Sequence, residues 1–506
     1  KTLRMEICLF QVLTDPVQYG NAQNLETFEK NVTEFTLDNG LTFIVIRRDV
    51  APVVSFMTFV NVGSANEPVG QTGIAHIFEH MAFKGTSYLG TTNYEEEKPL
   101  IEAVDDAYRA WLLENTKTNP DEEKLAALWE SFQNLEESAK EYVVNNEFST
   151  ILDQAGAVGM NAFTSADATG YFYSLPSNKV ELWFTLESDR FLDPVFREFY
   201  VEKDVIYEER RMRTDSSPFG RLIEEFLSVA FSAHPYKNPV IGWPSDITAT
   251  TIKETKEFYE QFYVPSNITI AIAGDVDPAE MKRLAELYFS RMPAEESAPK
   301  LTVSEPPQRG ERRFVIEEES QPILLKGYKT VSNDHPDSKA LQLAASILFQ
   351  GRTSRLYKRM VTDEKMALAV SGFNGFPGDR YPGLFLLYAF PNLGIGLDEI
   401  EAVFEEEIEK IKNGEAEQHE LDRVRTQQRA SLIRSLANNT GLTFNFAATH
   451  ATTGDWRNVF RDIDKLSEIT LEDIQRVANT YFTKENRTVG MIRTKDAGDD
   501  VAAVNQ

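Results

Sequence analysis

Residues 74–86 constrain the fold more tightly than any other stretch of this chain. They read Ile-Ala-His-Ile-Phe-Glu-His-Met-Ala-Phe-Lys-Gly-Thr. The pattern predicts a helix, with Gly73 just before it and Gly85 after it. His76 and His80 are four apart, so both imidazoles project from one face, one turn apart. Glu79, three after His76, lies on the same side. Two imidazoles so spaced can grip one Zn²⁺ at about 2.0–2.1 Å each. The Glu79 carboxylate then stands beside the metal, free to act on water. A buried helix with two incidental histidines would give the same letters. The chain has only six histidines, yet a bare motif of this size also arises by chance, so a third ligand has to decide.

The run Glu202-Lys-Asp-Val-Ile-Tyr-Glu-Glu209-Arg-Arg-Met212 is the candidate. Glu202 and Glu209 are seven apart, two helical turns, so they share a face. One can bind the metal while the other orients a ligand by hydrogen bonds from behind. Taken alone, the run also fits an exposed charged helix, because Glu208, Arg210, Arg211 and Arg213 crowd it.

The rest of the chain sets the frame. At 506 residues it is too long for one core, and two domains are expected. Hydrophobic content of 42% and charged content of 26% fit a globular protein. No apolar run reaches the roughly 18–20 residues that a membrane span needs. A net charge of −27 argues against nucleic acid and anionic membrane surfaces as partners. One cysteine, Cys8, excludes an intrachain disulfide framework. Near the N-terminus, Ile7-Cys-Leu-Phe10 and Asn21-Ala-Gln23 suggest an export signal, but the apolar part reads as too short and too interrupted.

Residues 33–62 alternate apolar and polar around the Asp38-Asn-Gly40 turn signal, as antiparallel strands do. Residues 94–145 read as an inserted helical hairpin, one stripe being Ile101, Val104, Tyr108 and Trp111. The other is Leu125, Leu128, Phe132 and Leu135, and Asn119-Pro-Asp121 forms the break. Residues 292–312 are rich in Pro, Glu and Ser and read as a linker. Beyond it the strand–strand–helix pattern weakly repeats, without His or Glu in the helix ending at Phe349. The expected fold is therefore α+β. It has a metal-bearing domain over 30–291 with the 94–145 insertion, the linker, and a related metal-free domain over 313–497. Each domain is an antiparallel sheet covered by helices.

Taken together, the two motifs closely resemble the pitrilysin, insulin-degrading and mitochondrial-processing peptidases, whose reversed zinc motif is H-x-x-E-H. The resemblance runs from about Thr33 to Arg493. It includes Lys84-Gly-Thr86, Asn161-Ala-Phe-Thr-Ser165 with Asp167, Thr169 and Tyr171, Tyr263-Val-Pro-Ser-Asn267 and Gly274-Asp275. It implies a zinc endopeptidase with one Zn²⁺ held by His76, His80 and Glu209. Glu79 is then the base and Glu202 the supporting acid. Glu208 rivals Glu209 by adjacency only, since its register to Glu202 is wrong. The resemblance further implies that Asn161, Ala162, Phe163 and Thr164 lie on an edge strand where a peptide substrate adds as another strand. The interval between the motifs is longer here than in most relatives, because of the insertion.

Active relatives usually carry an Arg and a Tyr, seven apart, in the metal-free domain to hold the substrate. Asp363 and Val370 stand at those places here. The expected partner is a homologous metal-free subunit supplying the pair, or a second copy of the chain. A non-catalytic assembly or partner subunit is the competing class, and the complete motif set argues for the enzyme. Relatives in bacteria leave the compartment open between cytoplasm and periplasm, with the periplasm ahead.

Overall fold

The computed structural model describes residues 25–495. Cys8, the possible export signal and the last positions of the 313–497 half lie outside the described residues. Six strands form a first sheet: β1 (Val32–Thr36), β2 (Thr42–Arg47), β3 (Val53–Val60), β4 (Val158–Thr164), β5 (Thr169–Pro176) and β6 (Ile268–Gly274). Five form a second: β7 (Arg312–Glu318), β8 (Ile323–Lys329), β9 (Ala367–Phe376), β10 (Leu384–Pro391) and β11 (Arg487–Thr494).

The spatial orders are β1-β2-β6-β3-β5-β4 and β7-β11-β8-β10-β9. Leaving β1 aside, both run first strand, last, second, fourth, third, which is the weak sequence repeat expressed as topology. Both sheets are antiparallel except at one pair each, β2 with β6 and β7 with β11, which are parallel. The expectation of purely antiparallel sheets is corrected there. Parallel neighbours need a long crossover, and β6 and β11 return only after the rest of their half has been threaded. Local alternation carries no trace of that return.

The helices that matter for the site are α1 (Ile74–Met81), the hairpin α2 (Tyr94–Asn115) and α3 (Glu122–Lys140), α4 (Phe199–Arg210), α5 (Pro218–Ala230), α6 (Ser338–Phe349) and α7 (Asn439–Thr453). α1 follows β3 as α6 follows β8. The hairpin seam is aromatic: Trp111 lies 5.0 Å from Trp129, and Tyr108 5.3 Å from Phe132. Asp121 caps α3 by accepting the Lys124 N–H. Among the described residues, no helix is long and apolar enough to cross a membrane.

The halves are interlocked. One face of the first sheet packs on its own helices around Phe43, Phe56 and Trp183. Its other face, Ile44, Ile46, Met57 and Phe59, is covered by Leu442, Phe446, Trp456 and Phe460 of the second half. In return, α5 brings Leu222, Phe226 and Leu227 onto Ile323, Leu325, Leu386 and Ile492 of the second sheet. Asp167 ties the halves together, accepting from Tyr236 Oη at 2.6 Å and from the N–H groups of Asp379 and Arg380 at 2.9 and 3.1 Å. The 292–312 segment is also anchored: Glu305 accepts from the N–H groups of Ser232, Ala233 and His234 and pairs with Lys329.

Candidate metal centre

α1 divides cleanly into two faces. Ile74, Ile77, Phe78 and Met81 are buried, and Phe78 packs 4.3 Å from the Tyr263 ring. His76, Glu79 and His80 take the opposite side. Gly73 has φ 90°, and a Cβ there would meet Ile241 O at 2.7 Å, so only glycine lets the chain enter the helix here. Buried Glu67 satisfies the open first turn, accepting from the N–H groups of Gly73 and Ala75 at 2.9 and 3.0 Å. Burial pushes that carboxyl up to about 8, against the pull of the two N–H donors. After α1, the carbonyls of Lys84, Thr86 and Leu89 all accept from the Arg197 guanidinium.

α4 lies across this face. Glu209 Oε2 stands 3.6 Å from His76 Nε2 and 3.7 Å from His80 Nε2. All three donor atoms lie within 4.8 Å of one another. These separations are too long for hydrogen bonds. They suit a shared ion: two ligands about 2.1 Å from a tetrahedral zinc stand roughly 3.4 Å apart. Two imidazoles and a carboxylate are also a donor set that zinc accepts. Glu208 points outward, its side chain 63% exposed and paired with Arg211.

Glu202 supports His80 from behind. Its Oε1 is 2.8 Å from His80 Nδ1, and its Oε2 is 2.7 Å from Lys84 Nζ. That bond places the His80 proton on Nδ1 and leaves Nε2 to face Glu209. Burial opposes ionisation of Glu202, but the His80 and Lys84 hydrogen bonds outweigh it and take the carboxyl down to about 2. For His80, burial works against protonation, while Glu202, Glu79 and Glu209 overcome it and raise the pKa. His76 goes the other way: burial, then His80 and Arg213, lower it to about 3, so its ring is neutral. Its Nδ1 is buried and has no hydrogen-bond partner among the described residues. Arg213 pairs with Glu209 Oε1 at 2.7 Å, leaving Oε2 toward the histidines.

Glu79 is buried, which raises its pKa, and a hydrogen bond from Thr164 Oγ1 at 2.5 Å opposes that rise. Thr164 therefore touches the carboxylate, an arrangement its expected place on a peptide-lining strand did not anticipate. β4 is the outer strand of its sheet. Asn161 Oδ1 accepts the Ala162 N–H, and Phe163 leans on Phe444 of α7 at 5.8 Å. A cleft of about 360 Å³ opens beside the cluster, lined by Glu79, His80, Lys84, Phe148, Asn161 and Ala162 among others. The two positions where an Arg/Tyr pair would stand offer none: exposed Asp363 pairs with Lys358, and Val370 is in the second core. Leu368 and Ala369 are the exposed residues beside Val370, and Tyr is absent there too. Lys84, Arg197 and Glu67 escaped sequence reasoning. For Lys84 alone, its place one turn beyond His80 was a usable signal.

The family profile described as "Insulinase (Peptidase family M16)" matches residues 43–108 and 117–243, and that described as "Peptidase M16 inactive domain" matches 249–428. A zinc protease of Helicobacter pylori, PqqE, is 26% identical over 484 residues, 94% of this chain and 96% of that protein. The crystal structure of a protease from Helicobacter pylori superposes with a TM-score of 0.75 at 26% identity, over 91% of this chain and 99% of that one. The first half of the periplasmic protease PqqL of Escherichia coli shares the fold, with a TM-score of 0.66 at 19% identity over 94% of this chain and 93% of that half. The chain spans 48% of full-length PqqL. With both halves matched and the sheets and helices superposing, the chain belongs to the M16 peptidases, the family of pitrilysin and insulinase.

Proposed function

We propose that this chain is a zinc-dependent endopeptidase for peptides and unfolded segments. The observation that carries the reading is the triangle of His76 Nε2, His80 Nε2 and Glu209 Oε2, spaced for a shared ion and not for hydrogen bonds. Zinc bound there would polarise a scissile carbonyl and acidify a water. Glu79, its pKa raised by burial, takes a proton from water and delivers it to the leaving amine. Thr164 holds the carboxylate in place for both transfers. Glu202 and Lys84 keep His80 in the tautomer that offers Nε2. The free edge of β4 holds substrate by main-chain hydrogen bonds, which tolerates many sequences.

The substrate clamp is incomplete within the chain, since Asp363 is an exposed acid paired with Lys358 and Val370 is buried in the second core, so neither position offers the Arg/Tyr pair. Orientation of bound substrate is worth several kcal/mol of barrier. We therefore assign the missing groups to a homologous metal-free chain. The test is turnover of an unstructured peptide by the zinc-loaded protein, alone and with such a paralogue. Weak turnover raised at least about tenfold by the paralogue is expected. Full turnover by the isolated chain would leave a self-sufficient enzyme, and none under either condition would leave the non-catalytic class.

A further inference from the structure

The α2–α3 hairpin completes neither sheet, yet what it buries is mostly polar. Its buried residues are Glu97, Val104, Asp105, Tyr108 and Glu114 on α2, and Phe132 on α3. Charged groups are rarely buried unless paired, and three of these polar residues are partnered on α4 or the segments flanking it. Glu97 is 0% exposed and holds Arg197 through Oε1 and Oε2 at 2.9 and 3.1 Å. Asp105 Oδ1 accepts from Tyr200 Oη at 2.6 Å and from the Ile252 N–H at 3.0 Å. Tyr108 stacks 4.1 Å from the Tyr200 ring and donates to Thr248 O at 2.8 Å. Lys203, buried and without an ion pair among the described residues, donates to Thr248 O and Thr250 O at 3.0 and 2.6 Å and lies 4.6 Å from the Tyr108 ring.

Helical geometry shows what this grip does. At about 100° per residue, Glu202 and Glu209 fall within roughly 20° of one another on α4. Tyr200, Lys203 and Tyr207 fall on a second stripe, roughly 100–180° away. The first stripe meets α1 and the second meets the hairpin and the 244–250 segment. Arg197 closes the frame, because the guanidinium that binds Glu97 also collects the carbonyls leaving α1.

We propose that the inserted hairpin is a positioning element for the glutamate arm of the metal cluster, setting the rotation and height of α4 so that Glu209 and Glu202 meet the two histidines. The proposal rests on the zinc-site reading above and adds a role for residues that touch neither metal nor substrate.

The experiment measures Zn²⁺ affinity of the full chain by chelator competition, in wild type and in Asp105→Ala, Asp105→Asn, Lys203→Met and Leu387→Ala. Leu387 lies in the second core, far from the cluster, and serves as a control for general destabilisation. Asp105→Ala and Lys203→Met are expected to weaken affinity roughly tenfold, as loss of outer support does elsewhere. Asp105→Asn, which still accepts the Tyr200 hydroxyl, should restore it, and Leu387→Ala should leave it unmoved. Affinity within about twofold of wild type in both Asp105→Ala and Lys203→Met would overturn the proposal, as would an equal loss in Leu387→Ala. If Asp105→Ala does not fold, Lys203→Met decides alone, since its side chain keeps the length and apolar stem of lysine. A wild type that binds no zinc removes the zinc reading and this proposal together, while a wild type that binds, with unmoved variants, removes only the proposal.

Discussion

The two halves present the same place in the fold with different chemistry. In the first, α1 carries His76, Glu79 and His80, the last two lining a cleft of about 360 Å³ bordered by the edge strand β4. In the second, α6 offers Gln342, Ala345 and Ser346, at the same i, i+3, i+4 spacing, to a cleft of about 700 Å³ bordered by the edge strand β9. Topology and helix placement are shared, so the fold alone supplies the cleft. What differs is a handful of polar groups and what stands behind them. Around α1, burial lowers His76, neighbouring carboxylates raise His80 against its burial, and His80 with Lys84 lower Glu202 against its burial. Ser346 instead bonds neutral amides: Gln428 donates to it at 3.0 Å and Gln350 lies 2.8 Å away. Asp379, which lines the second cleft, is also raised by burial, so what sets the first cleft apart is a cluster of shifted groups.

The largest way to test this contrast is Glu79→Gln, which keeps the shape and still accepts from Thr164 but cannot take a proton. Peptide hydrolysis should fall by at least about 10²-fold with zinc content near normal. Retained turnover would mean that another group handles the proton. Next in size is the pair Glu209→Gln and Glu208→Gln. Glu209 faces the histidines and Glu208 faces solvent. Zinc affinity should fall by at least roughly tenfold in the first, and change little in the second. The reverse order would show that α4 is turned differently.

A subtler sign lies in pH. A proton and a metal ion compete for His80 Nε2. The carboxylates raise the His80 pKa above its ordinary 6.5, so zinc affinity should be full above the raised value and fall as the pH drops through it. Calorimetry near pH 7 in buffers of different ionisation enthalpy should show release of up to about one proton per zinc from this ring. Heats independent of buffer would contradict the assigned shift. The smallest effect belongs to the other cleft. Ser346→Ala should leave zinc affinity within about twofold and lower stability by about 1 kcal/mol through its lost hydrogen bonds.

What was legible in the sequence was local. The His76–His80 spacing sits within one turn of helix, and the Glu202–Glu209 pair shares a helix face, with the family resemblance assigning the ligand role to Glu209. The hairpin showed in its two apolar stripes, and the duplication in a repeated order of patterns. What the sequence hid was contact across distance. Thr164 reaches Glu79 over 85 residues, and Arg197 reaches Lys84 O over 113. Neither carries a periodicity, and a lone Thr or Arg looks the same when it does nothing. The return of β6 beside β2, and the buried polar side of the hairpin, were hidden for the same reason.

The exchanged helices have a consequence in time. The last strand of the first sheet ends at Gly274, but residues that cover its outer face extend to Phe460. At roughly 5–20 residues per second, a ribosome takes on the order of 10–40 s to make the intervening chain. Throughout that interval Ile44, Ile46, Met57 and Phe59 form an uncovered apolar surface on the nascent chain. Sequence separations of this kind, such as the 422 residues between Glu34 and Trp456, also slow the search for native contacts. The interlock that joins the halves in the finished protein can thus be completed only late in synthesis.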